Sequence, residues 1–195
     1  QFLFNDVISL DPQWVNTYNV TGEQDYEFNV QMTAQPAVHS NCKMLYQGQA
    51  EETVGNEVNG YNRLINTELM SFLGCVVTQN GEISELIVER KHGSAPKFKL
   101  HKGKTKLRIE PVETALYKTN ERWTPTPMPM LEGQVFGYNF FIDNQQVAAV
   151  TIDSQFPKIW ILNKQEPAQQ QWLVAVAYSI MMFNWQDDWQ RSPHS

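Results

Sequence analysis

A run of basic residues in the middle of the chain is the feature with the clearest capacity to bind a ligand. Eight lysines and arginines lie between Arg90 and Arg108, and this segment contains no aspartate or glutamate. The other seven basic residues are outnumbered by 21 acidic residues, so the remainder of the chain carries a net charge of -14. A positive segment on an otherwise acidic protein predicts a site for an anionic partner.

The spacing of these residues predicts a β-hairpin with one basic face. A two-residue turn at Lys102-Gly103 would place like charges directly opposite each other in three pairs. These pairs are His101 with Lys104, Lys99 with Lys106, and Lys97 with Arg108. Side chains alternate along a strand, so all six would share one face, and the intervening apolar residues would point to the core. Those apolar residues are Phe98, Leu100, Leu107 and Ile109.

Two explanations for such a face remain open. Opposed like charges destabilise a sheet by roughly 0.2–1 kcal/mol per pair, so something should offset them. One explanation is an anion held across the pairs, such as a phosphate-bearing lipid headgroup. The other is neutralisation by Glu82, Glu85 and Glu89 of the preceding segment, or solvation of the long side chains.

No other group of residues has the spacing of a catalytic or metal site. The four histidines (His39, His92, His101 and His194) are scattered, and the H-x-x-C pair of His39 and Cys42 has no second ligand pair to close a zinc site. A glycine-rich phosphate loop, a nucleophile elbow and an H-E-x-x-H motif are all missing. The sequence therefore predicts no catalytic residue, metal or cofactor. A barrel-fold hydrolase whose site assembles from distant residues remains an alternative.

Composition predicts a single folded domain over residues 1–195. Hydrophobic residues make up 42% of the chain, and the net charge of -6 argues against binding to nucleic acid. Two cysteines, Cys42 and Cys75, are too few for a disulfide framework. One bridge between them is an alternative, but we expect two buried thiols in a cytoplasmic protein. Six tryptophans keep a carbohydrate- or small-ligand-binding β module as another alternative.

Most of the chain has the pattern of β-strands. Apolar residues alternate with polar ones from Tyr26 to Thr33, and Asn80-Gly81 and Asp143–Gln145 predict hairpin turns. A short strand is expected at Ile159–Leu162. Residues 1–20 are expected to be an irregular lead-in, the stretch from Gln47 to Asn62 a strand end and loop, and Thr124–Pro129 an extended spacer.

One helix is predicted, over residues 167–189. Pro167 suits a first helical turn, and Trp172–Phe183 is apolar on every side. A membrane span needs about 20 apolar residues, and this run has 12. An all-round apolar helix too short to cross a bilayer predicts a buried central helix and no transmembrane span.

The stretch from Leu131 to Trp185 resembles the tubby-like superfamily, which includes LURP-one-related proteins and phospholipid scramblases. The resemblance is carried by the hairpin from Phe136 to Val150, the Ile159-Trp-Ile-Leu strand, and the closing helix Trp172–Phe183. It implies a closed antiparallel β-barrel threaded by the C-terminal helix, and membrane-associated or scaffolding roles rather than catalysis. The function we expect is therefore a non-enzymatic domain that makes peripheral contact with anionic lipid headgroups, or with another phosphate-bearing partner, through the basic hairpin.

Overall fold

The computed structural model describes residues 15–32, 35–53, 63–91, 94–119, 122–127, 135–152 and 157–191. Within them the chain forms eleven β-strands and one α-helix, which confirms the mainly β class predicted from the sequence. The strands are β1 (Val15–Val30), β2 (Val38–Thr53), β3 (Arg63–Gln79), β4 (Glu82–Lys91), β5 (Lys97–His101), β6 (Leu107–Val112), β7 (Thr114–Thr119), β8 (Arg122–Pro127), β9 (Gly137–Ile142), β10 (Gln145–Thr151) and β11 (Lys158–Ile161). The helix is α1 (Pro167–Arg191).

The described strands form two large antiparallel sheets and one small one. The first sheet has the order β1-β2-β3-β4-β5, the second has the order β11-β10-β9-β6, and β7 pairs with β8. Strands β5 and β6 are neighbours in sequence but belong to different sheets. The chain therefore passes from the first sheet to the second between them.

Two predicted hairpins are confirmed, and in each the turn residues explain the chain reversal. Asn80 and Gly81 have φ angles of 52° and 79°, as a two-residue turn between β3 and β4 requires. Asp143 and Asn144, with φ angles of 48° and 65°, do the same between β9 and β10. Aspartate and asparagine are among the non-glycine residues that most readily adopt this left-handed conformation.

Helix α1 lies between the two large sheets and contacts β1, β2 and β3 on one side and β10 and β11 on the other. From Gln171 to Asn184 its side chains are buried, apart from a half-buried stripe formed by Val174, Tyr178 and Met182. The predicted buried helix is thus confirmed, and it begins at Pro167 as expected. Its apolar surface is the centre of the core.

Buried hydrogen bonds fix the helix relative to both sheets. Trp172 Nε1 donates to Ser84 Oγ of β4 over 2.8 Å, and the Tyr138 hydroxyl of β9 donates to Asn184 Oδ1 over 2.8 Å. Each bond pairs two buried polar groups. A buried polar group without a partner would cost about 1–3 kcal/mol of stability. The helix therefore has one preferred rotation and height between the sheets.

The expectation of two free thiols is wrong. Cys42 of β2 and Cys75 of β3 lie directly opposite each other and form a disulfide, with an S–S distance of 2.06 Å. Both residues point into the core, at 0% and 2% exposure. The bond joins the two strands at the level of the helix.

Two segments that were expected to be irregular contain paired strand. β1 begins at Val15, inside the expected lead-in, whereas β2 ends at Thr53, inside the stretch where a strand end was expected. β8 contains Pro125 and Pro127 and pairs with β7 in a sheet of two strands, where an edge position tolerates proline. These segments hold few apolar residues, so the alternation that reveals a half-buried strand is missing from their sequences.

Candidate anion-binding surface

The six predicted site residues lie at the corner where the chain leaves one sheet for the other, and we call them the basic corner. They are Lys97, Lys99, His101, Lys104, Lys106 and Arg108, and all six are exposed. The alternate residues point inward: Phe98, Leu100 and Leu107 are half-buried and Ile109 is buried. Alternation along each strand therefore places the basic side chains on the solvent side, as the sequence predicted.

The pairing predicted for these residues is wrong. The turn is centred on Gly103-Lys104, with the Thr105 amide donating to the Lys102 carbonyl over 2.9 Å. Beyond the single bridge between Lys102 and Thr105, β5 pairs with β4 and β6 pairs with β9. The expected oppositions of Lys99 with Lys106 and Lys97 with Arg108 are therefore not formed. β4 gives β5 its backbone partner and β9 gives β6 its own, so the like charges of the two arms are not directly opposed.

Three members of the basic corner lie beside carboxylates of the same chain. Lys97 is opposite Glu89 and His101 is opposite Glu85 across the β4–β5 ladder. Arg108 forms an ion pair with Glu110. The second explanation for the basic face, local neutralisation, thus applies to half of it.

The other three members have no ion-pair partner among the described residues. Lys99 lies opposite Ile87, while Lys104 and Lys106 flank the exposed tip of the turn. Within the described part of the chain none of these three lysines forms a salt bridge. The tip of the corner is consequently its most positive part.

Lys102 is the residue that the sequence placed incorrectly. Because the turn is shifted by one residue, its side chain points inward, and Nζ lies 4.1 Å from the centre of the Trp172 ring. Burial lowers the pKa of the Lys102 ammonium from its ordinary value, and the Glu82 carboxylate acts in the opposite direction. The period-two pattern of Phe98, Leu100 and Lys102 is the sequence signal that could have revealed this.

A groove beside Lys102 runs along the start of the helix. Its lining includes Glu82, Glu166, Trp172 and Gln79, whose Nε2 donates to the Ala168 carbonyl over 2.8 Å. Within it Lys102 lies over the indole ring of Trp172, and the Glu82 carboxylate acts on the Lys102 ammonium. The groove therefore offers a polar surface rather than a free cationic site.

His39 and Cys42 have other partners in the structure, and His92 and His194 lie outside the described residues. His39 contacts Glu27 over 2.9 Å on the exposed face of the first sheet, and Cys42 is committed to the disulfide. Among the described residues, no group of three or more histidine, cysteine, aspartate or glutamate side chains could hold a metal ion. The described histidines thus form no cluster with acidic or thiol ligands.

The tryptophan side chains are divided between core and surface. Trp172 is buried, whereas Trp160 of β11 is 50% exposed. The side chains of Trp14, Trp123, Trp185 and Trp189 lie outside the described residues.

In the described part of the chain, no helix is both long enough and apolar enough to cross a lipid bilayer.

Comparison of the chain with models of protein families, with characterised proteins and with solved structures finds no significant match. The function is therefore argued from the geometry of the surface alone.

Proposed function

We propose that this chain is a non-enzymatic binding domain that contacts anionic lipid headgroups through the basic corner. The supporting observation is the exposed tip of the β5–β6 turn, where Lys104 and Lys106 form no salt bridge with described residues. A positive tip on a protein with a net charge of -6 concentrates the attraction for anions in one place. The inward-facing apolar residues hold the two arms of the corner against the core.

We further propose that the fold is the closed tubby-like barrel that the sequence resembles. Support comes from a central helix with sheets on two sides and from the chain's passage from β5 of the first sheet to β6 of the second, with one bridge between Lys102 and Thr105. Closure requires β1 to approach β11, the two outer strands of the sheets. Tyr178 of the helix is half-buried and lies next to β1. Its ring is 4.8 Å from the ring of Phe28 in that strand.

The strength of the contact follows from the number of free charges. A basic residue near an anionic membrane contributes about 1 kcal/mol, falling off within a Debye length. Lys104 and Lys106 would together supply about 2 kcal/mol, which is a weak and salt-sensitive contact. Such a domain binds membranes reversibly and would gain from a second site on the same particle.

The disulfide bears on where such a contact takes place. Disulfides persist in oxidising compartments and are rare in the cytosol. The bond between Cys42 and Cys75 therefore favours an oxidising compartment over the cytoplasm expected from the sequence. The partner would then be an anionic lipid surface exposed to that compartment.

Co-sedimentation with liposomes tests the proposal. Wild-type protein should sediment with vesicles containing phosphatidylserine, less so at high salt, and not with phosphatidylcholine vesicles. The Lys104→Glu, Lys106→Glu double variant should lose most of this binding. The charge-matched control is Lys158→Glu with Lys164→Glu, which alters two exposed lysines of β11 and the following loop.

Equal sedimentation of the wild type and the Lys104, Lys106 double variant would overturn the assignment of the site. Competition by soluble glycerophosphate separates two sources of the same chemistry. If glycerophosphate displaces the protein from vesicles at low concentration, a soluble phosphate ester replaces the membrane as the partner.

A further inference from the structure

The outward side of the first sheet exposes an unusual amount of apolar surface. We call it the outer sheet face, formed by the outward-pointing residues of β1 to β5. Four of the six large apolar side chains that are exposed in the described part of the chain lie on it: Leu45, Val76, Ile83 and Ile87, at 42%, 45%, 61% and 43% exposure. A clustered apolar patch on a polar surface is characteristic of an interaction site.

The sequence of β3 supports burial on both of its sides. Phe72, Leu73, Cys75, Val76 and Val77 form an apolar run interrupted only by a glycine. Strands that are covered on one face show alternation, whereas strands covered on both faces show continuous apolar runs. The inner face is covered by the helix, so the pattern calls for a second cover on the outer face.

The two edges of the outer sheet face carry opposite charges. Glu23, Asp25 and Glu27 are exposed on β1, and Lys97, Lys99 and His101 are exposed on β5. Glu23 also forms an ion pair with Lys43 of β2, and Glu27 contacts His39 of the same strand. The middle row across the sheet runs from Asp25 through Lys43, Gly74 and Ile87 to Lys99. The rows on either side begin at Glu23 and Glu27 and end at Lys97 and His101.

The centre of the face is open to close approach. β3 is the middle strand of the five, and Gly74 lies in the middle one of the three rows that all five strands share. A Cβ atom built on Gly74 would have no neighbour within 4 Å. Two such faces can therefore meet at their centres without displacing a side chain.

We propose that the outer sheet face is the interface of a homodimer, whose two-fold axis runs parallel to β3 past Gly74. Rotation about this axis keeps each row at its height and exchanges β1 with β5. Asp25 then faces the partner's Lys99, Glu23 faces the partner's Lys97, and Glu27 faces the partner's His101. Phe72 and Val76 of β3 then face the same residues of the second copy, while Ile87 packs on the stem of the partner's Lys43 and Leu45 on that of the partner's Glu89.

A two-fold axis across the strands is disfavoured by the same charges. That rotation would bring β1 against β1 of the second copy and set three carboxylates against three carboxylates. Like-charge juxtaposition across an interface costs several kcal/mol. The charge pattern thus selects one of the two ways in which the faces can stack.

The area available matches what a stable dimer needs. Five strands spaced by about 4.8 Å give a width of about 24 Å, and five rows of outward residues give a height of about 33 Å. The footprint is therefore about 800 Å² per copy, the size of a standard protein–protein interface. The twist of both sheets makes aligned packing at an angle of about 30° the expected arrangement.

The dimer divides the basic corner between two tasks. Lys97, Lys99 and His101 serve the interface, while Lys104 and Lys106 remain exposed beyond its end. Because the axis is parallel to the strands, both Gly103-Lys104 turns lie at the same end of the dimer. A dimer would therefore present two basic tips to one membrane, although the interface itself does not depend on lipid binding.

Sedimentation velocity over a broad range of protein concentration, without lipid, tests the proposal. Wild-type protein should show a monomer–dimer equilibrium. Asp25→Lys or Lys99→Asp should each weaken dimerisation at least tenfold, because each creates two like-charge contacts per dimer. The chain carrying both changes should regain the wild-type affinity, and an equimolar mixture of the two single variants should form a heterodimer.

Charge-matched controls are Glu113→Lys and Lys158→Asp, exposed positions outside the first sheet, which should leave dimerisation unchanged. Circular dichroism of each variant verifies that it folds, and the mixture gives a second readout from the same proteins. The proposal would be overturned if the wild type were monomeric at every protein concentration, or if neither single change weakened the dimer. Lys104→Glu with Lys106→Glu should dimerise normally, so failure of the lipid proposal is distinguishable from failure of this one.

Discussion

The inner and outer faces of the five-stranded sheet both carry large apolar side chains, but only those of the inner face are buried. On β3, Val77 is 1% exposed and packs into the core, while the adjacent Val76 is 45% exposed. On β4, Leu86 and Ile87 show the same contrast, at 1% and 43%. An apolar side chain on the inner face stabilises the fold of one chain. An apolar side chain on the outer face contributes little to the folding of that chain and is available for association.

The largest loss of stability is expected in the core that the inner face covers, at Phe183 of the helix. Phe183 is fully buried between the sheets. Phe183→Ala should lower the free energy of unfolding by about 3–5 kcal/mol, through lost burial and the cavity that remains. Ile87→Ala on the outer face is the control, and urea denaturation at low protein concentration should show less than about 1 kcal/mol for it. Equal losses would mean that the outer face is part of the folding core.

The disulfide gives the next largest effect. Cys42 and Cys75 join β2 to β3 on the inner face, and the linked chain has fewer unfolded conformations. Replacing both with alanine should lower the free energy of unfolding by about 2–4 kcal/mol. The control is the wild type in reducing buffer, which should lose a similar amount. Thiol titration of the denatured protein before reduction should find no free thiol, and two would contradict the bond.

Some parts of this fold can be predicted from the sequence and others cannot. The sequence correctly predicted which side chains near the basic corner point inward and which point outward, because alternation is a local property of a strand. Asn80-Gly81 and Gly103-Lys104 both reverse the chain, but only the first reversal joins two strands that pair along their length. Pairing is decided by competition among all strands, so turn residues alone could not reveal that β5 and β6 part.

The disulfide was missed for a related reason. Cys42 and Cys75 are 33 residues apart, and their meeting depends on the register of β2 against β3. The polar stretch between these strands contains no signal that fixes this register. The buried helix, in contrast, was predictable from Trp172–Phe183 alone, because a run that is apolar on every side has few alternatives to burial.

The difference between the two faces is tested most directly by replacing Val76 and Val77, one at a time, with threonine. Threonine keeps the shape and strand preference of valine and adds a hydroxyl, so the comparison isolates the cost of placing a polar group on each face. In urea unfolding at low protein concentration, Val77→Thr should lose about 1–3 kcal/mol and Val76→Thr less than about 0.5 kcal/mol. A loss for Val76→Thr as large as that for Val77→Thr would contradict the account.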